Sequence, residues 1–261
     1  MEIATWNVNS IRSRQEQVIA WLQTNPVDVL CLQETKVIDG AFPAAPFQEL
    51  GYHCQFFGQK AYNGVAILSR KPLEKPMRGF APLLGAEAED WDQQKRVITG
   101  IYQGVRVINL YVPNGAAVGD EKYAYKLNWL TQLKQYLQEL LTARTEPSCL
   151  CGDFNIALED RDIYSAEGKE GHIMASPPER AALAEILSLG WQDGFRKFTP
   201  ESGHFSWWDY RSGGFARNRG WRIDHIYLDS ALYDQAVACR IDREPRGWEK
   251  PSDHAPVVVA L

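Results

Sequence analysis

The sequence predicts an α/β fold, a four-layer sandwich in which two mixed β-sheets pack face to face with helices on the outside. Three observations lead there. Short apolar runs bounded by turn residues recur along the chain, which is the pattern of buried strands. Two of them, 96–102 and 105–112, are joined only by Gln103-Gly104, a link short enough for an antiparallel hairpin. Helical periodicity is confined to three segments, too few for an alternating βαβ fold but enough for an outer coat.

Taken in order, strands are expected at 3–8, 27–33, 64–69, 96–102, 105–112, 148–153, 222–229, 239–243 and 255–261. Ser13-Arg14-Gln15-Glu16 has capping-box spacing ahead of Val18, Ile19 and Leu22, so a first helix should begin there. Asp120 is placed to cap a longer helix carrying Tyr123, Leu127, Leu130, Leu133, Leu137 and Leu140 at three- and four-residue spacing. Ser176-Pro177-Pro178-Glu179 is a further capping box with Pro at the first helical position; its helix carries Leu183, Ile186 and Leu187 and should stop by Gly190. Pro and Gly are scattered at turns and never gather into a linker, so 1–261 is expected to form a single domain.

Composition narrows the function. The five cysteines, Cys31, Cys54, Cys149, Cys151 and Cys239, are widely spaced and odd in number, which suits a reducing, cytoplasmic setting. Cys149 and Cys151 alternate along one strand and should face one buried layer, without the spacing of a zinc site. No apolar run reaches membrane-spanning length, and the chain opens directly on a strand pattern, so neither a membrane segment nor a targeting segment is expected. The net charge of −5 argues against indiscriminate nucleic-acid binding. Yet Arg211, Arg217, Arg219 and Arg222 fall in a stretch with no acid, a local basic face that could grip phosphates or simply be solvated.

The polar groups that could carry chemistry sit where strands end, the usual place for a rigid scaffold to present function. Asn7 ends the first strand, and Glu34 the next. Asp153 and Asn155 end a third and, two residues apart, point to the same side. Asp224 begins a fourth, and Asp253-His254 precede the last. Singly, such residues make turns; five strand ends of this kind in one chain suggest a site. Magnesium favours hard oxygen ligands, few of them from protein, and Glu34 with Asn7 or Asp253 meets that demand, with manganese as a possible substitute. The histidines (53, 172, 204, 225 and 254) show no paired spacing, which disfavours zinc. His225 points away from Asp224 and is expected to be structural; His172 and His204 carry no assigned role.

Phosphodiester hydrolysis fits this inventory. Enzymes typically remove roughly 8–23 kcal/mol of barrier. A metal can polarise the phosphate, Asp153 with Asn155 can aim water, and His254 held protonated by Asp224 can stabilise growing negative charge together with a Tyr hydroxyl. No Ser or Cys nucleophile elbow is present.

The segments WNVNS, LQETK, YNGVAILS, YVPNG, CGDFN, RIDH and SDHAP occur in this order from Ile3 to Leu261. Together they resemble the serial motifs of the exonuclease III family of abasic-site endonucleases, within the endonuclease/exonuclease/phosphatase superfamily. The run FSWWDYRSGGFARNRGWRID, 205–224, is the part most specific to exonuclease III. The resemblance implies a Mg²⁺-dependent, monomeric DNA repair nuclease acting on double-stranded DNA with abasic sites or damaged 3′ ends. It implies Glu34 as principal metal ligand with Asn7 and Asp253 close by, and Asp153 and Asn155 at the attacking water. His254 with Asp224, Tyr111 and Asn114 would lie at the phosphate, and Lys122 would be a second cation. Trp207, Trp221 and Ile223 match the pocket for a flipped abasic sugar, cheap to extrude because it has no base to unstack; Trp208 could belong to pocket or core. Arg211 and Arg217 would contact DNA. Asn9 stands where animal members carry Asp, and GAAVG after Asn114 lacks an arginine that some members insert into the duplex; both features resemble bacterial members. The rival readings are a superfamily phosphatase acting on inositol phosphates or lipids, and a non-catalytic DNA-binding protein.

Overall fold

The computed structural model describes residues 1–143, 146–169 and 171–261. Its strands are β1 (Glu2–Asn7), β2 (Val29–Gln33), β3 (His53–Phe57), β4 (Val65–Ser69), β5 (Glu74–Arg78), β6 (Val97–Tyr102), β7 (Val105–Tyr111), β8 (Ser148–Asp153), β9 (Gln192–Asp193), β10 (Asp224–Leu228), β11 (Ala238–Ile241) and β12 (Val257–Ala260). They form two six-stranded sheets, ordered β11-β12-β1-β2-β4-β3 and β5-β6-β7-β8-β10-β9. Each sheet is mixed, with one parallel pair, β1–β2 in the first and β7–β8 in the second. Apolar side chains of both inner faces, among them Ile3, Val29, Ile67, Val107, Ile226 and Val257, form the central layer. The helix Ile11–Thr24 covers the first sheet through Val18, Trp21 and Leu22. The helices Glu121–Thr142 and Pro177–Leu187 cover the second through Leu130, Leu133, Leu137, Leu183 and Ile186. The expected two-sheet sandwich with outer helices is therefore the fold, since central strands such as β2, β7, β8 and β10 are buried along their whole length and must be covered on both faces.

Three strands were not expected: β3, β5 and β9. Each is the edge of a sheet and has only one neighbour to satisfy, so it need not carry a strand's apolar pattern. β5 reads EKPMR with most of its residues exposed, and a Pro is tolerated at an edge because no ladder donor is lost there. Among the described residues, five short helices of four to six residues, such as Ala81–Leu84 and Ser230–Gln235, also lie below the length at which periodicity is readable.

Helix starts divide similarly. Asp120 caps as expected, accepting from Lys122 N at 2.8 Å. Ser176 and Glu179 form the expected reciprocal box. The Ser13 box does not form, because the helix already begins at Ile11. The chain at Ser10 and Ile11 is drawn in by backbone bonds to Glu34 O and Thr35 O, at 2.8 and 3.2 Å, which fixes the turn before the side-chain cap could act.

Cys149 and Cys151 lie with Cys31 in the inter-sheet layer, and all five cysteines are free thiols. Among the described residues, no helix is long and apolar enough to cross a membrane.

Candidate active site

The sheet registers bring the strand ends together. In β1 and β2, Asn7 lies opposite Gln33, so Glu34 follows at the same edge. In β7 and β8, Tyr111 lies opposite Asp153. The antiparallel neighbour β10 begins with Asp224 beside Asp153. Two parallel pairs in facing sheets thus deliver Asn7, Glu34, Tyr111 and Asp153 to one end of the sandwich, and antiparallel β10 adds Asp224. Trp207 bridges both Trp221 and His254, which ties the last loop to the same place.

The turns at these ends are tight. Asn9, Ser10, Glu34, Lys36 and Asn155 all have positive φ, between 45° and 95°. Non-glycine residues in this region cost of order 1–3 kcal/mol each and persist where surrounding bonds over-determine them. Asn7 supplies several of those bonds. Its Nδ2 donates to Glu34 Oε1 at 2.9 Å and Asp153 Oδ2 at 2.8 Å. Its Oδ1 accepts from Asn9 N at 2.9 Å. Asn155 N donates to Asp153 Oδ1 at 2.9 Å, and Asn114 Nδ2 donates to Asn155 Oδ1 at 3.0 Å.

His254 lies between two acids. Its Nδ1 is 2.8 Å from Asp224 Oδ2, and its Nε2 is 3.8 Å from Asp153 Oδ2. Ser206 Oγ donates to Asp224 Oδ2 at 2.7 Å and holds that carboxylate in place. Burial opposes a charge on His254, but Asp224, then Asp153, outweigh it and raise its pKa to about 10. Burial pushes Asp153 up to about 7, against the pull of His254. For Glu34 burial is likewise opposed, and Lys36 prevails, holding its carboxyl below the usual range. Burial and the charge of Glu34 raise Tyr111 well above the ordinary phenol, so it stays a donor.

Polar atoms of Glu34, Asp153 and His254 lie within 4.8 Å of one another, and with His254 protonated the two carboxylates are the groups that can ligate a metal. The donor set suits a hard divalent cation, being dominated by carboxylate oxygen. Lys36 Nζ lies 2.9 Å from Glu34 Oε2 and 2.5 Å from Asn9 Oδ1.

The other expected residues lie around this group or along the adjoining hollows. Asn7 bridges the two acids through Nδ2, and its Oδ1 accepts from Asn9 N. Asp253 stands outside the three-residue group, with one oxygen accepting from Trp207 Nε1 at 3.0 Å and the other from Asn9 Nδ2 at 3.1 Å. Trp207 and Trp221 line an open cavity of about 620 Å³ next to Asn114, together with Met174 and His172. Ile223 lies behind Trp221 in a small apolar cluster. Trp208 is fully buried and belongs to the core. Arg211 is on the cavity rim, where its guanidinium pairs with Asp209 at 2.7 Å. Arg217 is exposed in the same loop and does not line the cavity. Lys122 lines a separate hollow of about 300 Å³ with Tyr111 and Asn114. His225 is buried against Ile156 O at 2.8 Å, and burial lowers its pKa to about 4, so it is a neutral core group.

Sequence reasoning missed Arg96, Lys36 and Ser206. Arg96 lies over the Tyr111 ring at 4.6 Å and donates to Tyr111 O at 3.1 Å. Its place just before β6, opposite the end of β7, was the available signal. Lys36 stands within LQETK itself.

The endonuclease/exonuclease/phosphatase family model matches residues 4–254. The chain is 36% identical to exodeoxyribonuclease III of Haemophilus influenzae over 98% of each protein. An AP endonuclease from Archaeoglobus fulgidus superposes with a TM-score of 0.93 at 41% identity, covering 100% of this chain and 99% of that one. The 3′ phosphatase NExo from Neisseria, solved bound to a product DNA hairpin, superposes with a TM-score of 0.95 at 42% identity, with the same coverage. With a family model over nearly its whole length and a full-length relative of this identity, the chain belongs to the endonuclease/exonuclease/phosphatase family, on its exonuclease III branch.

Proposed function

We propose that this protein is a Mg²⁺-dependent DNA repair nuclease. It hydrolyses the phosphodiester 5′ to abasic sites and removes nucleotides or blocking groups from the 3′ ends of duplex DNA. The observation that carries the reading is the meeting of Glu34, Asp153 and His254 within 4.8 Å, beside an aromatic-walled cavity. As a single domain over 1–261 it acts as a cytoplasmic monomer.

Asp153, buried and raised toward neutrality, aims the attacking water and takes its proton. His254, kept an imidazolium by Asp224, faces the negative charge that grows on the phosphate. Tyr111, kept a neutral phenol, and the Asn114–Asn155 carboxamides donate to the same phosphate. Glu34 would hold a magnesium ion, or manganese in its place, which when bound would supply positive charge beside the phosphate and the leaving oxygen. Trp207 and Trp221 receive the flipped sugar, with Ile223 supporting them from behind. Arg211, Arg217 and Lys122 meet backbone phosphates, with Asp253 and Asn7 bracing the metal side.

The name of the Neisseria relative favours, as a second reading, a preference for 3′-terminal phosphate over internal nicking. One assay separates these from the inositol-phosphatase rival. A duplex with one abasic analogue, a duplex with a 3′ phosphate and a soluble phosphoinositide are offered with Mg²⁺ and with EDTA. Mg²⁺-dependent processing of either duplex, with the phosphoinositide intact, is expected. Preferential release of inorganic phosphate from the phosphoinositide would overturn the proposal.

A further inference from the structure

The reaction as read above does not use Lys126. Lys126 lies in the helix Glu121–Thr142, and it and Glu179 are both fully buried. An ammonium has three N–H donors, and here each has a partner. Nζ donates to Glu179 Oε1 at 2.5 Å, Asn155 O at 2.8 Å and Asn114 O at 3.2 Å. Glu179 completes the network. It accepts from Met174 N and Ser176 N, both at 3.1 Å, and from Ser176 Oγ at 2.6 Å.

Three loops meet at this one pair. Two present Asn114 and Asn155, and the third presents Met174 on the cavity wall. Asn155 and Met174 have φ of 50° and 71°, a region that L residues hold only under external constraint. Each is bonded directly to the pair, Asn155 through its carbonyl and Met174 through its N–H. Gly115 also rests on the lysine stem. A Cβ there would lie 3.1 Å from Lys126 Cδ and 2.9 Å from Ile173 Cδ1. A buried ion pair is a poor source of stability, because desolvation cancels most of its attraction. Satisfying three loops at once is a better account of this one.

We propose that Lys126 and Glu179 are positioning residues, which set the spacing of the Asn114 and Asn155 carboxamides against Asp153 and fix the Met174 wall. The inference rests on the reading in which those carboxamides face the phosphate.

The test uses the full chain carrying Lys126→Met with Glu179→Gln, so that neither charge is stranded in the core. Ser176→Ala, which removes one donor to Glu179 and leaves the ion pair intact, serves as a milder second variant. Both are compared with the parent for kcat on the abasic duplex with Mg²⁺, for duplex affinity in EDTA, and by the side-chain amide NMR signals of Asn114 and Asn155. A kcat lower by about 10²-fold is expected in the double variant, the cost of a misplacement of about 1 Å. Affinity should hold near the parent value, and both amide signals should move. Parent-like kcat or unmoved amide signals would overturn the inference. A parent that does not cut the abasic duplex would instead sink the proposed function, and the amide signals alone would then decide the role of the pair.

Discussion

Asp153→Asn is expected to lower the cleavage rate on an abasic duplex by about 10²–10⁴-fold, the range for loss of a positioned acid–base group. Affinity for the same duplex in EDTA should be retained. The substitution keeps the volume and planarity of the side chain, so packing against Asn7 and Asn155 survives. What changes is the chemistry. Asp153 accepts at both oxygens, from Asn155 N at 2.9 Å and from Asn7 Nδ2 at 2.8 Å. A carboxamide has one acceptor, so one of those donors loses its partner, and water loses its proton acceptor. Burial raises Asp153 to about 7, so the parent's base becomes available as pH rises through neutrality. The acidic limb of kcat should therefore lie near there and vanish in the variant. Gel-resolved single-turnover rates with parallel binding curves check this. A variant that cuts at the parent rate would remove Asp153 from the water-activating role.

Asp224→Asn should have the second largest effect, and a different signature. In the parent, His254 is held charged up to about 10 by Asp224, with Asp153 as the lesser partner, against an unperturbed value of about 6.5. A folded-state pKa raised in this way contributes stability that is fully present below about pH 6.5 and is lost as pH rises through about 10. Removing the Asp224 charge brings the His254 pKa down. The imidazolium is then lost at lower pH, and Ser206 Oγ, which donates to Asp224 Oδ2 at 2.7 Å in the parent, faces a neutral carboxamide instead. A loss of about 10²–10³-fold in kcat at pH 8 is expected, the usual cost of one donor at a developing charge. The alkaline limb of the kcat profile should move from near 10 toward neutrality. An unmoved alkaline limb would show that the couple does not set the charge on His254.

Much of this site was readable because of how parallel pairs are built. β2, β7 and β8 are buried along their whole length, and β1 nearly so. Their sequences are therefore mostly apolar, and a polar residue at the end is conspicuous. Asn7, Glu34 and Asp153 stood out for that reason. The edges β3, β5 and β9 lacked any such pattern, since one side of an edge strand faces solvent or a loop. Orientation was also hidden. That Asn7 offers its amide nitrogen to two acids follows from partners 27 and 146 residues away, which no local spacing encodes. Lys126 shows the same limit from the other side. In sequence it is one cation in an amphipathic helix, and only the fold reveals that its charge is shared between the Asn114 and Asn155 carbonyls and Glu179.

One divalent ion is expected to bind at Glu34 beside the His254–Asp224 couple. Anomalous scattering from crystals soaked in Mn²⁺, recorded for the parent chain and for Glu34→Gln, tests that directly. A manganese peak touching the Glu34 carboxylate, on the side facing Asp153 and His254, and its loss in Glu34→Gln are predicted. A peak elsewhere that survives the substitution would contradict it.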